Sequence, residues 1–307
     1  MSGDKQLFPA RPLFSITATD MGRNVLTYAG PMGTRTIASP KGGEFHGERL
    51  SGRIAPGLAS EWQLESVGTP GHAHVEGLIT LLHSGGEAIL MKYMGRRSAR
   101  YGEYCWRVGV GFEAPAGGAL DWLNDLVAVA HVERIGDDLR YTVFELLGRQ
   151  SVPDANALPV EPLYTLVATA ALGERHLVRS PVSTRYMTIA EEGCTTQGRL
   201  NAHWPVGFAW GPHRTARTDA GDFNLPFHID MRVGLVADNG EALIQSYLGT
   251  TPRSAADPSP DADRSWITAA AFEAPAQGPL AYLNDVIALG LGWVENNEVC
   301  YEYRIWA

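Results

Sequence analysis

The sequence predicts an all-β protein made of two tandem antiparallel β-barrels of the calycin or lipocalin type, each with one short helix. Three observations predict this: the chain repeats itself once, its apolar and polar residues alternate over short stretches, and helical periodicity is scarce. The 34 glycines and 19 prolines supply enough turns to separate many short strands. Closing such strands into barrels removes the unpaired edges that an open sheet exposes.

The repeat is an ordered series of matching segments. Residues 11–19, RPLFSITAT, recur as residues 161–169, EPLYTLVAT, at an offset of 150 residues. Residues 112–115, FEAP, recur as residues 272–275 at an offset of 160, so a few residues were inserted between the two matches. An ordered series of this kind indicates duplication of one domain.

The repeat sets the predicted domain boundaries. We predict a first barrel over residues 1–148, a linker rich in Pro, Asn and Asp over residues 149–160, and a second barrel over residues 161–307. Residues 250–264 are rich in Pro, Asp and Ser and have no counterpart of equal length in the first half, so we predict a solvated loop there.

Short elements follow from the same patterns. In the first half, alternating apolar runs predict strands over residues 13–19, 75–82, 88–93, 107–112 and 141–146. The one helix expected in each half covers residues 120–125 and 280–285, and an apolar strand is expected after each, over residues 126–132 and 286–293.

Charge and composition argue against several functions. The net charge is −9 and the basic residues are scattered, so nucleic-acid binding is not expected. No apolar stretch approaches the roughly 18 residues that span a bilayer, and the amino-terminal residues have no signal-peptide core, so we expect a cytoplasmic protein without membrane segments. The three cysteines are far apart and are expected to be reduced.

Each half carries a histidine followed at i+2 by a carboxylate. His74 and Glu76 match His228 and Asp230 at an offset of 154 residues. On a strand, residues i and i+2 lie on the same face, so each histidine is expected beside its acid. A carboxylate beside an imidazole suits a general base, and the alternative is a pair that only stabilises the barrel.

Metal binding is a second use of the same positions. His72 could add a third ligand beside His74 and Glu76. The second half has Pro226 at the position that matches His72, which weakens a repeated metal site. We therefore predict no metal and no cofactor.

Further repeated or aromatic residues are candidates for substrate binding. An arginine that faces the barrel interior could hold a carboxylate, an acid within an apolar strand could face a cavity, and tryptophans could line an apolar pocket. The residues are Arg35, Arg185, Glu113, Glu273, Trp62 and Trp210.

The ordered motifs Gly47-Glu-Arg-Leu-Ser-Gly52, Pro56-Gly57, Glu61-Trp62 and Trp122-Leu-Asn124 resemble the DUF3237 family. The resemblance covers nearly all of both halves and implies a fused pair of small β-barrels, since members are usually single barrels of uncharacterised function. The family commonly has an Asp-x-Arg motif, which the second half matches at Asp230-Met-Arg232. The resemblance thus adds Arg232 to the candidates, and the first half departs from the motif.

We expect a cofactor-free isomerase, lyase or cyclase acting on a small apolar carbonyl or phenolic substrate in a barrel cavity. His74 or His228 would move the proton, Glu76 or Asp230 would assist it, and Arg232 would stabilise an oxyanion. The alternative is a lipocalin-like binding protein without catalysis. The third interpretation is a structural module, and the candidate partners are a small molecule and a second copy of the chain.

Overall fold

The computed structural model is mostly strand. Three short 3₁₀ helices accompany the strands in the described part, Ala99–Tyr101, Asp121–Asp125 and Ala281–Asp285. The residues that the structure describes are 6–65, 71–148, 156–179, 184–204, 207–213, 228–250, 265–296 and 298–307.

The strands are numbered in chain order. Those of the first repeat are β1 (Gln6–Thr19), β2 (Val25–Gly30), β3 (Gly33–Ala38), β4 (Gly42–His46), β5 (Ser51–Glu65), β6 (Ala73–His83), β7 (Ala88–Arg97), β8 (Cys105–Glu113), β9 (Val127–Ile135) and β10 (Asp138–Leu146). Those of the second repeat are β11 (Asn156–Arg179), β12 (Thr184–Gly198), β13 (Ala202–Trp204), β14 (Gly207–His213), β15 (His228–Ala237), β16 (Ala242–Thr250), β17 (Trp266–Glu273), β18 (Ile287–Glu295) and β19 (Glu298–Trp306).

Eight strands of the first repeat close into an antiparallel barrel. Starting from β1, the hydrogen-bonded order is β10, β9, β8, β7, β6, β5 and β4, and β4 pairs back with β1. The hairpin of β2 and β3 extends one end of this ring, because β3 pairs with the second half of β5 while β4 pairs with the first half. The predicted barrel is confirmed.

The second repeat pairs its strands in the same order. β18 pairs with β19, β19 with β11, and β11 with β12. β12 pairs with both β13 and β14, β13 pairs with β15, and β16 joins β15 to β17. The stretch expected to be a linker, residues 149–160, is strand β11 from residue 156 onward.

The chain divides into two compact units whose boundaries differ from those of the sequence repeat. The first unit comprises Ala10–Leu146 and Ala276–Ile287, so it includes a segment of the second repeat. The second unit comprises Met1–Pro9, Leu147–Pro275 and Ala288–Ala307.

The barrel interior of the first unit is formed by every second residue of each strand. On β6, Val75, Ile79 and Leu81 are fully buried while the alternating residues face outward. One part of the interior is aromatic, since the ring of Phe14 lies 5.6 Å from that of Phe45 and 5.8 Å from that of Phe112. Burying each such ring contributes about 2–3 kcal/mol.

The two predicted helices are present as 3₁₀ turns. In the first repeat Asn124 holds the turn to the end of β8: its Oδ1 accepts from the Ala114 amide at 2.7 Å, and its Nδ2 donates to the Asp121 carbonyl at 3.0 Å. Asn124 therefore serves the fold. No helix in the described residues is long and apolar enough to cross a membrane, and residues 251–264 of the predicted loop lie outside those residues.

Candidate functional site

A carboxyl group lies inside the first barrel. Along the second half of β5 the side chains alternate so that Glu61 and Gln63 point inward and Trp62 points outward. Glu61 is 1 % exposed and Trp62 is 42 % exposed, the reverse of what hydrophobicity alone predicts. The site therefore begins with a buried acid.

Three side chains donate hydrogen bonds to this acid. The Tyr93 hydroxyl lies 2.9 Å and the Tyr141 hydroxyl 3.3 Å from Oε2 of Glu61, and the Gln63 amide lies 2.7 Å from Oε1. The two tyrosine hydroxyls are 3.1 Å apart. The Trp106 indole N–H approaches the carboxyl closely enough to lower its pKa, but it lacks hydrogen-bond geometry and is without a partner.

Burial decides the acid–base properties of the cluster. Desolvation raises the pKa of Glu61, and the hydrogen bonds from Gln63 and the tyrosines only partly oppose it. Desolvation, together with the charge of Glu61, also raises the pKa of Tyr93 and Tyr141 well above the usual value, so both hydroxyls keep their protons. A carboxyl of raised pKa beside two hydroxyl donors is suited to give and to take a proton.

A chain of polar side chains connects the acid to the rim of the barrel. Arg97 donates to Oε1 of Gln63 at 2.8 Å and to Oε2 of Glu65 at 3.0 Å. Arg97 and Glu65 are partly exposed whereas Glu61 is not. Polar groups thus lead from solvent to Glu61 at this end of the interior.

The position of Tyr93 depends on a glycine. Gly77 lies opposite Tyr93 on β6, and a Cβ at Gly77 would lie 2.1 Å from Cζ of the tyrosine ring. The absence of a side chain at Gly77 lets the ring pack against the backbone and brings the hydroxyl to Glu61.

The second unit repeats part of this cluster. Tyr247 and Tyr301 match Tyr93 and Tyr141 at offsets of 154 and 160 residues, and their hydroxyls are also 3.1 Å apart. Burial raises the pKa of Tyr247 well above the usual value and that of Tyr301 to about 12. The tyrosine pair is therefore duplicated in space as well as in sequence.

The predicted pair of His74 and Glu76 is formed, but on the outer face of β6. His74 Nε2 lies 3.1 Å from Oε1 of Glu76, which is 55 % exposed. The guanidinium of Arg96 contacts Nδ1 of His74, and because a guanidinium can only donate, Nε2 carries the proton shared with Glu76. Both ring nitrogens are thus engaged, and the pair cannot touch a substrate inside the barrel.

His228, Asp230 and Arg232 also lie on an outer face. They alternate on β15 with Ile229 and Val233, which are buried. Arg232 is exposed, and the histidine and the aspartate are partly buried. The expectation that these residues act in a barrel cavity therefore does not fit their position.

His72, the third residue considered for a metal site, contacts Asp285 through its Nδ1. Asp285 belongs to the segment of the second repeat that lies in the first unit. Within the described ranges, no group of three histidine, cysteine, aspartate or glutamate side chains could hold a metal ion.

Of the six residues predicted to bind substrate, the structure describes four side chains, and all four lie on outer faces of the strands. Glu113 and Glu273 are exposed at the ends of β8 and β17, so they face solvent and not a cavity. Arg35 of β3 pairs with Leu64 of β5, and facing residues of an antiparallel pair lie on one side of the sheet. Arg35 therefore lies on the same outward face as Trp62 of β5. Arg185 and Trp210 lie on β12 and β14, and their side chains are outside the described part of the chain.

In the sequence, the repeat points to the aromatic members of the interior cluster, and the motif Glu61-Trp62 points to its acid. Tyr93, Tyr141 and Trp106 all recur in the second half, as Tyr247, Tyr301 and Trp266. Glu61 does not recur in kind, since the offset of 150 residues that holds nearby leads to Gly211. A search for repeated acids therefore passes over it.

Comparison with known proteins assigns the first half of the chain to a family. Residues 9–146 match the family described as a protein of unknown function, DUF3237. A search of curated proteins finds no match.

Three solved structures each align over about half of this chain. A β-barrel-like protein from Acinetobacter baumannii is 24 % identical, with 48 % of this chain aligned to 99 % of that one and a TM-score of 0.40. A conserved protein of unknown function from Rhodopseudomonas palustris is 21 % identical, with coverages of 47 % and 100 % and a TM-score of 0.41. An enzyme from Penicillium herquei is 15 % identical, with coverages of 48 % and 100 % and a TM-score of 0.34.

Proposed function

The first half of this chain belongs to the DUF3237 family and the second half repeats it, and we propose that the first unit is a cofactor-free isomerase, lyase or cyclase. It moves a proton on a small, largely apolar carbonyl or phenolic substrate, with Glu61 as the proton carrier in place of the histidines. One observation carries the proposal: Glu61 is a fully buried carboxyl held by two tyrosine hydroxyls and an amide.

The cluster divides acid–base work between its members. As a base, Glu61 takes a proton from a phenol or from a carbon beside a carbonyl, and its raised pKa makes it a stronger base than an exposed glutamate. Tyr93 and Tyr141 keep their protons and donate hydrogen bonds to the oxygen on which negative charge develops. The protonated Glu61 then returns the proton at a second atom.

The direction of approach follows from the polar chain to the rim. Gln63 and Arg97 lie between Glu61 and solvent, and the Arg97 guanidinium is partly exposed. A substrate oxygen that enters from this end meets donors before it reaches the acid. The aromatic part of the interior, around Phe14 and Phe112, offers apolar contact to the body of the substrate.

The test uses 2′-hydroxychalcone, which has a phenol beside an enone and closes to flavanone when a proton leaves the phenol oxygen and one is added to carbon. The full chain is expected to accelerate this closure, followed by absorbance. Glu61→Gln should lower the rate about 10²- to 10⁴-fold, the usual range for loss of a general base. Glu76→Gln, a carboxyl of the outer face, is the matched control and should leave the rate unchanged.

Two results would overturn the proposal. Binding of the chalcone without acceleration would identify a binding protein, the alternative that the sequence suggests. Loss of the rate in Glu76→Gln or His74→Ala, with Glu61→Gln fully active, would place the reaction on the outer face of β6.

A further inference from the structure

The interior of the second unit is polar where that of the first is apolar. Gln245, Thr268 and Tyr303 lie at the positions that Met91, Val108 and Val143 occupy in the first repeat, at offsets of 154, 160 and 160 residues. Gln245 and Thr268 are fully buried and Tyr303 is 1 % exposed. Three buried positions that are apolar in the first repeat thus carry polar side chains in the second.

Several of these polar atoms are buried without a hydrogen-bond partner. They are Nε2 of Gln245, Nε1 of Trp266, Oγ1 of Thr268 and the hydroxyl of Tyr303. The other end of the Gln245 amide is held, since Oε1 accepts from the Tyr164 hydroxyl at 2.7 Å, so Nε2 is turned away from that partner. Buried polar groups in folded proteins are nearly always hydrogen-bonded, so we expect a bound molecule to supply partners for these four atoms.

The unpartnered atoms are neighbours. Thr268 and Gln245 approach the Tyr303 hydroxyl closely enough to lower its pKa, and Trp266 does the same to Tyr301, but none of these contacts has hydrogen-bond geometry. A Cβ at Gly290 of β18 would lie 2.2 Å from Oγ1 of Thr268 and 2.6 Å from the Tyr303 ring. The first repeat has Ala130 at that position, so the glycine lets Thr268 and Tyr303 pack directly against the backbone of β18.

The surroundings decide the chemistry of the occupant. The four groups are an amide, an indole and two hydroxyls, all uncharged, and burial keeps the Tyr303 hydroxyl protonated by raising its pKa. Tyr301 and Tyr303 stack with ring centroids 5.5 Å apart and an interplanar angle of 14°. Neighbouring donors, aromatic rings beside them and the lack of a charged member favour a neutral, flat molecule with an acceptor oxygen.

We propose that the second unit binds a small neutral aromatic molecule inside its barrel, with a carbonyl oxygen that accepts hydrogen bonds from Gln245 and Thr268 beside Trp266 and Tyr303. This site binds without proton transfer, because its members are all neutral groups. It is independent of the chemistry at Glu61.

The test measures binding of flavanone to the full chain by calorimetry, with flavan, which lacks the carbonyl oxygen, as the matched probe. Flavanone should bind more tightly than flavan. Gln245→Met and Thr268→Val, which restore the residues of the first repeat, should each weaken flavanone binding about five- to tenfold, the effect of one hydrogen bond. Thr268→Val removes only an unpartnered hydroxyl, so its melting temperature should not fall and lost binding in this variant will not reflect unfolding. Gln245→Met also removes the acceptor of the Tyr164 hydroxyl, so its folding is checked by circular dichroism before its binding is compared.

Three outcomes would overturn the inference. Equal affinity for flavanone and flavan would show that no acceptor oxygen is recognised. Flavanone binding that is lost in Glu61→Gln and kept in Gln245→Met would assign it to the first unit. A high-resolution crystal structure grown with flavanone, with only ordered water on the four atoms, would identify water as the occupant.

Discussion

The two barrels share a buried tyrosine pair but differ in what surrounds it. In the first unit, Tyr93 and Tyr141 donate to a carboxyl, Glu61, and the three groups form one cluster. In the second unit, the matching hydroxyls of Tyr247 and Tyr301 bond to each other at the same distance, among neutral neighbours. The same pairing of strands thus supports an interior with a carboxyl group in one copy and an interior of neutral groups in the other.

This difference shows that the interior of a duplicated barrel can diverge while its strand pairing stays the same. An inward position can change from Val108 to Thr268, or from Met91 to Gln245, without altering the pairing of the strands, because the remaining apolar residues of the inward face still fix the register. The outer wall can therefore keep its repeat while each interior acquires its own chemistry.

The largest expected effect comes from filling the space that seats Tyr93. Gly77→Ala should destabilise the protein by about 2–3 kcal/mol, since the new Cβ would lie 2.1 Å from the ring and must displace it from Glu61. Urea unfolding measures the change. Gly111→Ala on β8 is the matched control, because a Cβ there meets nothing within 4 Å, and it should be neutral or slightly stabilising. Equal effects would mean that Tyr93 is not held by this contact.

Exchanging the residue at one interior position between the two repeats should change stability in opposite directions. Val108→Thr adds a hydroxyl to a fully buried apolar site and should cost about 1–3 kcal/mol. Thr268→Val removes an unpartnered hydroxyl and should be neutral or stabilising in the ligand-free protein. Thermal unfolding of both variants checks the pair, and destabilisation by Thr268→Val would argue that the second interior is already satisfied.

The pH dependence of stability should separate the two interiors. Burial raises the pKa of Glu61 in the folded state, so the folded protein holds this proton more tightly than the unfolded chain does. The contribution of Glu61 to the free energy of unfolding is therefore fully present below its pKa in the unfolded chain, near 4.5. It is lost as pH rises through the pKa of the folded state, by about 1.4 kcal/mol per pH unit. Urea unfolding at several pH values should show that the free energy of unfolding of Glu61→Gln rises relative to that of the wild type as pH increases over this range. A pH-independent difference would contradict a raised pKa.

The smallest effect is expected on the outer face. Glu76→Gln should change stability by no more than about 0.5 kcal/mol, since the Glu76 side chain is 55 % exposed and its interaction with His74 is screened by water. The difference should disappear in about 1 M salt, where screening acts over a few ångströms. A larger, salt-independent loss would give the outer pair a role in holding the first unit together.

Sequence patterns predicted the strands and the contact between His74 and Glu76, because alternation along a strand brings residues i and i+2 together wherever the strand lies. They did not predict which face of that strand is inside. A partly polar strand in a barrel has two plausible inward faces, and for β6 the apolar residues Val75, Ile79 and Leu81 take the interior.

Sequence alone was enough to predict a duplicated antiparallel β-barrel domain with one short helix in each copy, because repeats, alternation and turn residues can be seen along one dimension. Only the tertiary structure decided that Glu61 lies inside and Trp62 outside. The inward face of β5 is set by its register with β3 and β6, and by the hydroxyls of Tyr93 and Tyr141 that meet the carboxyl from distant strands. Those partners compensate for the burial of an acid that its own segment of sequence would place in solvent.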